Sequence, residues 1–148
     1  MNQAEKAELL EQIEKWNDAD EFARCIEAIE SIPEQERDYL LTLKLGRAYS
    51  NLAVLGDNST HGEDDEIDGN LIRHAIELLE SVRAQGEDDP YWNARMGYSC
   101  LMAYPSSATA CEYARRWLAL APDDPDAPKL VRACAADQEE EKALAPDG

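Results

Sequence analysis

The chain has 148 residues, 44% of them apolar, with 32 acidic against 14 basic side chains and a net charge of −18. A chain of this length buries roughly two thirds of its unfolded surface, enough for one core, while its charge repels nucleic-acid backbones and anionic membranes wherever salt does not screen it. No apolar stretch nears the ~20 residues of a spanning helix, and Asn2-Gln3-Ala4-Glu5-Lys6 carries no signal-peptide core, so a cytoplasmic protein is expected.

Apolar residues recur at spacings of three and four, and no segment alternates over a useful length, which predicts an all-α chain of about seven helices. The first covers about residues 3 to 16, with Leu9, Leu10, Ile13 and Trp16 on one side. Asp18-x-x-Glu21 has capping-box form and opens a second helix, whose buried stripe is Phe22, Cys25, Ile26, Ile29 and Ile32 and which stops before Pro33. A third runs from about Glu36 to Leu55 with Gly56 as its C′ residue, and an acidic loop follows. The fourth, near 69 to 85, is closed by Gly86. Asp89 and Pro90 supply an N-cap and a first-turn proline for a fifth helix that ends before Pro105. Ser106 or Ser107 caps a sixth, terminated by Pro122, and Asp124-Pro125 starts a seventh, after which residues 137 to 148 read as an acidic flexible tail. Residues 1–136 are expected to form one domain, with the loop over 56–69 as an insertion. Cys25, Cys100, Cys111 and Cys134 are scattered among apolar helix positions with no C-x-x-C pair, which reads as buried thiols in preference to a disulfide framework or zinc site.

One pattern occurs twice: Leu45-Gly46-x-x-Tyr49 and Met96-Gly97-x-x-Cys100. Glycine inside a helical pattern costs about 1 kcal/mol of propensity relative to Ala, and close approach of another helix is the usual reason for it. Asp88-Asp89-Pro90 recurs 35 residues on as Asp123-Asp124-Pro125. Gly46 recurs 51 residues on as Gly97, the excess over a period of about 34 falling in the acidic loop. The segment from about Tyr39 to Ala133 therefore resembles tetratricopeptide repeats, particularly small acidic bacterial ones. The family's W-x-x-L-G-x-x-Y stands here as Thr42-x-x-Leu45-Gly46-x-x-Tyr49 and Asn93-x-x-Met96-Gly97-x-x-Cys100, and its later A-x-x-x-F as Ala75-x-x-x-Leu79. In the second unit Ala110-x-x-x-Ala114 is followed by Trp117, so large and small residues have changed places.

The resemblance implies a right-handed α–α superhelix of three helix hairpins plus a C-terminal capping helix, acting as a non-enzymatic adaptor for a protein or peptide, with no cofactor. It places the ligand-facing concave stripe at Leu40, Leu43, Arg47, Ser50 and Asn51 in one unit and at Tyr91, Ala94, Arg95, Tyr98, Leu101 and Met102 in the next. The competing reading is that another helix covers this stripe. Some family members grip a chaperone's C-terminal carboxylate with Lys, Asn and Arg; here Arg95 stands near one such place without the other two, so that partner is not implied.

Two other functions compete. Exposed end helices could mediate a homodimer through Trp16 or Trp92. The acidic loop could bind calcium: with Gly69 as the turn glycine of an EF-hand loop, Asp64, Glu66 and Asp68 fall at early ligand positions, but the final bidentate position falls on Ala75, which cannot coordinate. A solvated surface loop is the simpler reading. His61 and His74 belong to no recognisable triad or ligand cluster, and no phosphate-binding glycine loop is present, so catalysis and metal binding are not expected.

Overall fold

In the computed structural model, the side chain of Asn2 accepts a hydrogen bond from the Glu5 amide (2.8 Å) and its own amide nitrogen donates back to the Glu5 carboxylate (2.8 Å). This reciprocal cap starts α1, Gln3–Asp18. The structure describes residues 1–62, 66–104 and 108–144, with side chains to residue 139. Seven further α-helices follow among them: α2 (Phe22–Glu30), α3 (Tyr39–Leu55), α4 (Gly69–Glu80), α5 (Arg83–Gly86), α6 (Pro90–Ala103), α7 (Ala108–Leu120) and α8 (Ala127–Leu144). The protein is all-α, as the periodicity predicts; no strand occurs among the described residues. The helices fall into two compact units, Met1–Leu78 and Leu79–Gly148, where the sequence suggests one domain over 1–136; the division lies within α4.

In the N-terminal unit, Ile13, Cys25, Ile29, Leu41, Leu45 and Ala48 form a buried core, flanked by Leu9, Leu10, Trp16, Ile26 and Tyr49. Gly46 is buried in α3. The expected capping box at Asp18 does not form, because α1 runs through Asp18 and the α2 N-cap position, Glu21, makes no side-chain cap. The cap comes from the acidic loop instead. The Ala23 amide donates to Asp57 Oδ1 (3.0 Å), the Asn58 amide donates to the Asp20 carbonyl (2.7 Å), and the Ser59 hydroxyl donates to the Asp20 carboxylate. Asp20, Asn58 and Ser59 all adopt positive φ at this contact. Gly56 also does, at 71°, and a Cβ there would lie 2.6 Å from Thr60 Oγ1, so the expected C′ glycine is required twice over.

In the C-terminal unit α6 packs against α5, α7 and α8, and α7 against α8. Asp89 caps α6 through the Tyr91 amide (2.9 Å), with Pro90 in the first turn as predicted. The recurrence at Asp124 behaves differently: its carboxylate accepts from the Asp126 amide (2.9 Å) in a turn, and α8 begins only at Ala127. The fourth helix is also shorter than expected. It stops at Glu80, and Val82 (φ −117°, ψ 21°) separates it from the single turn of α5. Gly97 sits where α6 meets α7 and α8: a Cβ there would lie 2.9 Å from Leu130 Cδ2 and 3.6 Å from the Ala114 amide nitrogen. Residues 137–144, expected as tail, continue α8. Pro105, the Ser106 or Ser107 cap and residues 145–148 lie outside the described residues.

Since Asp57 satisfies a free amide at the start of α2, Asp57→Ala lowers the urea unfolding free energy by about 1 kcal/mol, whereas Asp57→Asn, an equally good cap, retains most of it. Equal losses in both variants would show that the carboxylate acts otherwise.

Candidate binding surface on the sixth helix

The predicted ligand stripe divides between the two units. On α3, Leu43 is 1%, Ser50 6% and Arg47 7% exposed, so these three cannot meet a partner. Helix α1 accounts for Arg47. Glu14 on α1 takes a bidentate pair from the guanidinium (Nη1–Oε2 3.1 Å, Nη2–Oε1 3.0 Å), with Lys44 Nζ 2.7 Å from Oε1. One turn along each helix, Asn51 Nδ2 donates to Asn17 Oδ1 (3.1 Å). The expected place of Arg47 in the ligand-facing stripe is therefore corrected, since its guanidinium is buried against a carboxylate of the chain itself. Of the α3 stripe, Leu40 is exposed and Asn51 half-buried.

On α6, Ala94 is buried, whereas Tyr91, Arg95, Tyr98, Leu101 and Met102 are all half-buried. Residues four and three apart share a helix face, and the structure joins three of these predicted residues directly. The Arg95 guanidinium lies 5.9 Å from the Tyr91 ring centre and 5.1 Å from that of Tyr98, within cation–π range. Tyr98 meets Trp117 of α7 edge-on, 5.8 Å between centres. Burial pushes the Tyr98 hydroxyl up, Asp126 and Asp124 add to the shift, and Arg95 opposes it. Trp117 and the two aspartates were not legible as neighbours of this stripe, since Trp117 fits the α7 core pattern, Asp124 reads as a helix start and nothing in the local spacing marks Asp126.

The adjoining face of α6 is closed. Trp92 is 1% exposed, which removes it as a dimer contact, and its Nε1 donates to the Leu79 carbonyl (2.8 Å). The Arg83 guanidinium packs 5.1 Å from the Trp92 ring centre and is held by Glu80 and the Tyr113 hydroxyl. Asn93 is buried and donates to the Glu87 (3.1 Å) and Asp89 (2.9 Å) carbonyls, closing the turn before the helix. A groove of about 350 Å³ beside these residues is lined by Arg83, Glu87, Asp88, Glu112, Tyr113 and Arg116 among others, and Arg116 is paired with Asp88 at 2.6 Å.

His74 meets the Tyr49 ring edge-on at 4.6 Å and lies 3.7 Å from Glu77, while the Tyr49 hydroxyl donates to Glu30 (2.8 Å) and is pushed up to about 12 by burial and that bond. Among the described residues no group of His, Cys, Asp and Glu could hold a metal ion. Asp64, needed by the calcium reading, lies outside them. All four cysteines are buried free thiols, as expected. Among the described residues no helix is long and apolar enough to cross a membrane. No protein-family model, curated protein or solved structure matches the chain.

The Glu14 carboxyl is partly buried, which alone raises its pKa, but the bonds from Arg47 and Lys44 outweigh this and hold it below the usual value. A depressed carboxylate contributes stability above its unfolded pKa of about 4.3 and loses it as pH falls through the folded value. Glu14→Gln therefore costs about 1–2 kcal/mol at pH 7, a figure moderated by the carboxylate's partial exposure. In urea titrations the gap to wild type narrows below about pH 4. An equal gap at pH 7 and pH 3 would count against this.

Proposed function

We propose that the protein is a non-enzymatic binding module that holds a protein or peptide on the α6 face of its C-terminal unit. The observation that carries this reading is the half-buried Tyr91–Arg95–Tyr98 stack, continued by Leu101 and Met102. Two aromatic rings already ordered by a guanidinium and by Trp117 offer contact area at little further entropic cost. Tyr and Arg are also the side chains that most often anchor such contacts. The resemblance to tetratricopeptide repeats supports the same helix as the ligand-facing one. The net charge of −18 favours a basic partner, through attraction before contact and exclusion of acidic competitors.

A random peptide library selected against the full chain is expected to enrich cationic sequences carrying aromatic or aliphatic anchors. Tyr98→Ala and Tyr91→Ala each weaken the selected peptides at least tenfold, about 1.4 kcal/mol, with far-UV circular dichroism unchanged. Peptides that bind both variants as tightly as wild type, or a selection that enriches nothing, would overturn the reading.

A further inference from the structure

Between Tyr91 and Cys100 every residue of α6 is buried except Tyr91, Arg95 and Tyr98, and the half-buried Leu101 and Met102 continue the line toward the end of the helix. Tyr91, Arg95, Tyr98 and Met102 stand four, three and four residues apart. That alternation is the seam of a coiled coil, a narrow stripe that a second helix covers with its own three- and four-residue spacing at a crossing angle of about 20°. Two physical points favour a helix over an extended segment on this line. Along α6 the four positions rise by about 6.0, 4.5 and 6.0 Å, about 16 Å in all. An extended segment places a side chain on one face every ~6.7 Å, so its third step falls near 20 Å and out of register. The second point is the backbone. The polar groups of the line are two phenols and one guanidinium, too few for the amides and carbonyls that an extended segment brings, whereas a helix pairs its own.

We propose that the occupant is a basic amphipathic helix of another protein, laid along α6 with apolar residues at three- and four-residue spacing against Tyr91, Tyr98 and Met102 and with Lys and Arg on its flanks. The inference rests on the binding reading above and adds the partner's conformation and register. The net charge of −18 attracts the basic flanks and disfavours a second copy of the chain, which carries the same charge. A stripe of about 16 Å takes roughly 12 residues of partner helix. Helices of that length are marginal alone in water, so an isolated partner segment gains helix as it binds.

The test selects binders to the full chain from two Lys- and Arg-rich peptide libraries. One carries its apolar residues three and four positions apart, and the other carries them at every second position. Enrichment from the first library is expected, with far-UV circular dichroism showing a gain of helix on mixing and a proline at the peptide's centre weakening binding at least tenfold. Tyr98→Ala weakens these peptides at least tenfold, and so does Met102→Lys, which repels a basic helix at the far end of the line while α6 keeps its helicity. Tyr98-dependent peptides that come from the second library, gain no helix and tolerate the proline would overturn the helical partner and leave the binding module standing. Enrichment from neither library, or peptides indifferent to both variants, would overturn the binding reading and this inference with it. A dimer of the chain in analytical ultracentrifugation that Met102→Lys dissociates would assign the line to a second copy and overturn the proposal.

Discussion

The C-terminal unit depends on one close contact, the indole of Trp92 lying against the bare Cα of Gly86. A Cβ at residue 86 would fall 2.3 Å from Trp92 Cγ, far inside the contact distance of two carbons. The ring has no room to yield, being held by the Leu79 carbonyl at its nitrogen, by Arg83 over its face and by Tyr113 edge-on at 5.6 Å. Closely packed interiors pass such constraints on because they contain little free volume. With Trp92 fixed inward, α6 is held in one rotational setting, and in that setting Tyr91 and Arg95 stack with Tyr98. The packing that builds the unit is therefore the packing that orients its candidate surface.

The two units treat the same kind of helix in opposite ways. On α3 a basic residue in the predicted ligand stripe is consumed by an internal carboxylate, so Arg47 and Glu14 serve stability. On α6 the corresponding stripe keeps partly accessible aromatic edges. Burying a guanidinium costs several kcal/mol unless a carboxylate accompanies it, and α1 brings one. The acidic loop has a similar internal use at its start, where Asp57 replaces the missing cap of α2. A run of acids that reads as solvated surface thus contributes a defined hydrogen bond to the fold.

Helix number and placement were legible because burial follows a 3.6-residue period, and Ile13, Cys25, Ile29, Leu45 and Met96 all lie where that period puts them. The departures have identifiable causes. The break at Ser81–Val82 occurs without Pro or Gly at those positions, so propensity alone gives no warning of it. Residues 137–144 carry little apolar signal, but Gln138, the glutamates 139–141, Lys142, Ala143 and Leu144 are all strong helix formers that need no core-facing stripe. Long-range pairings were illegible for a different reason. Glu14 is one of 32 acids, and nothing in its local spacing marks it as the partner of a residue 33 positions away. The packing glycines were half legible. Gly97 follows the repeated motif, whereas Gly86 reads as a helix terminator because the ring that needs its bare Cα, Trp92, lies beyond a turn.

A comparison of Gly86→Ala with Gly97→Ala by urea unfolding tests the central contact most directly. Alanine gains up to about 1 kcal/mol of helix propensity at either site, but at residue 97 its methyl is too close only to the end of the Leu130 side chain, with Ala114 and Tyr113 at ordinary contact distance, while at residue 86 it meets a fixed indole ring. Gly86→Ala is expected to lose about 1–3 kcal/mol and to shift the Trp fluorescence, with Gly97→Ala close to wild type. A Gly86→Ala protein as stable as wild type, with unchanged fluorescence, would contradict this account.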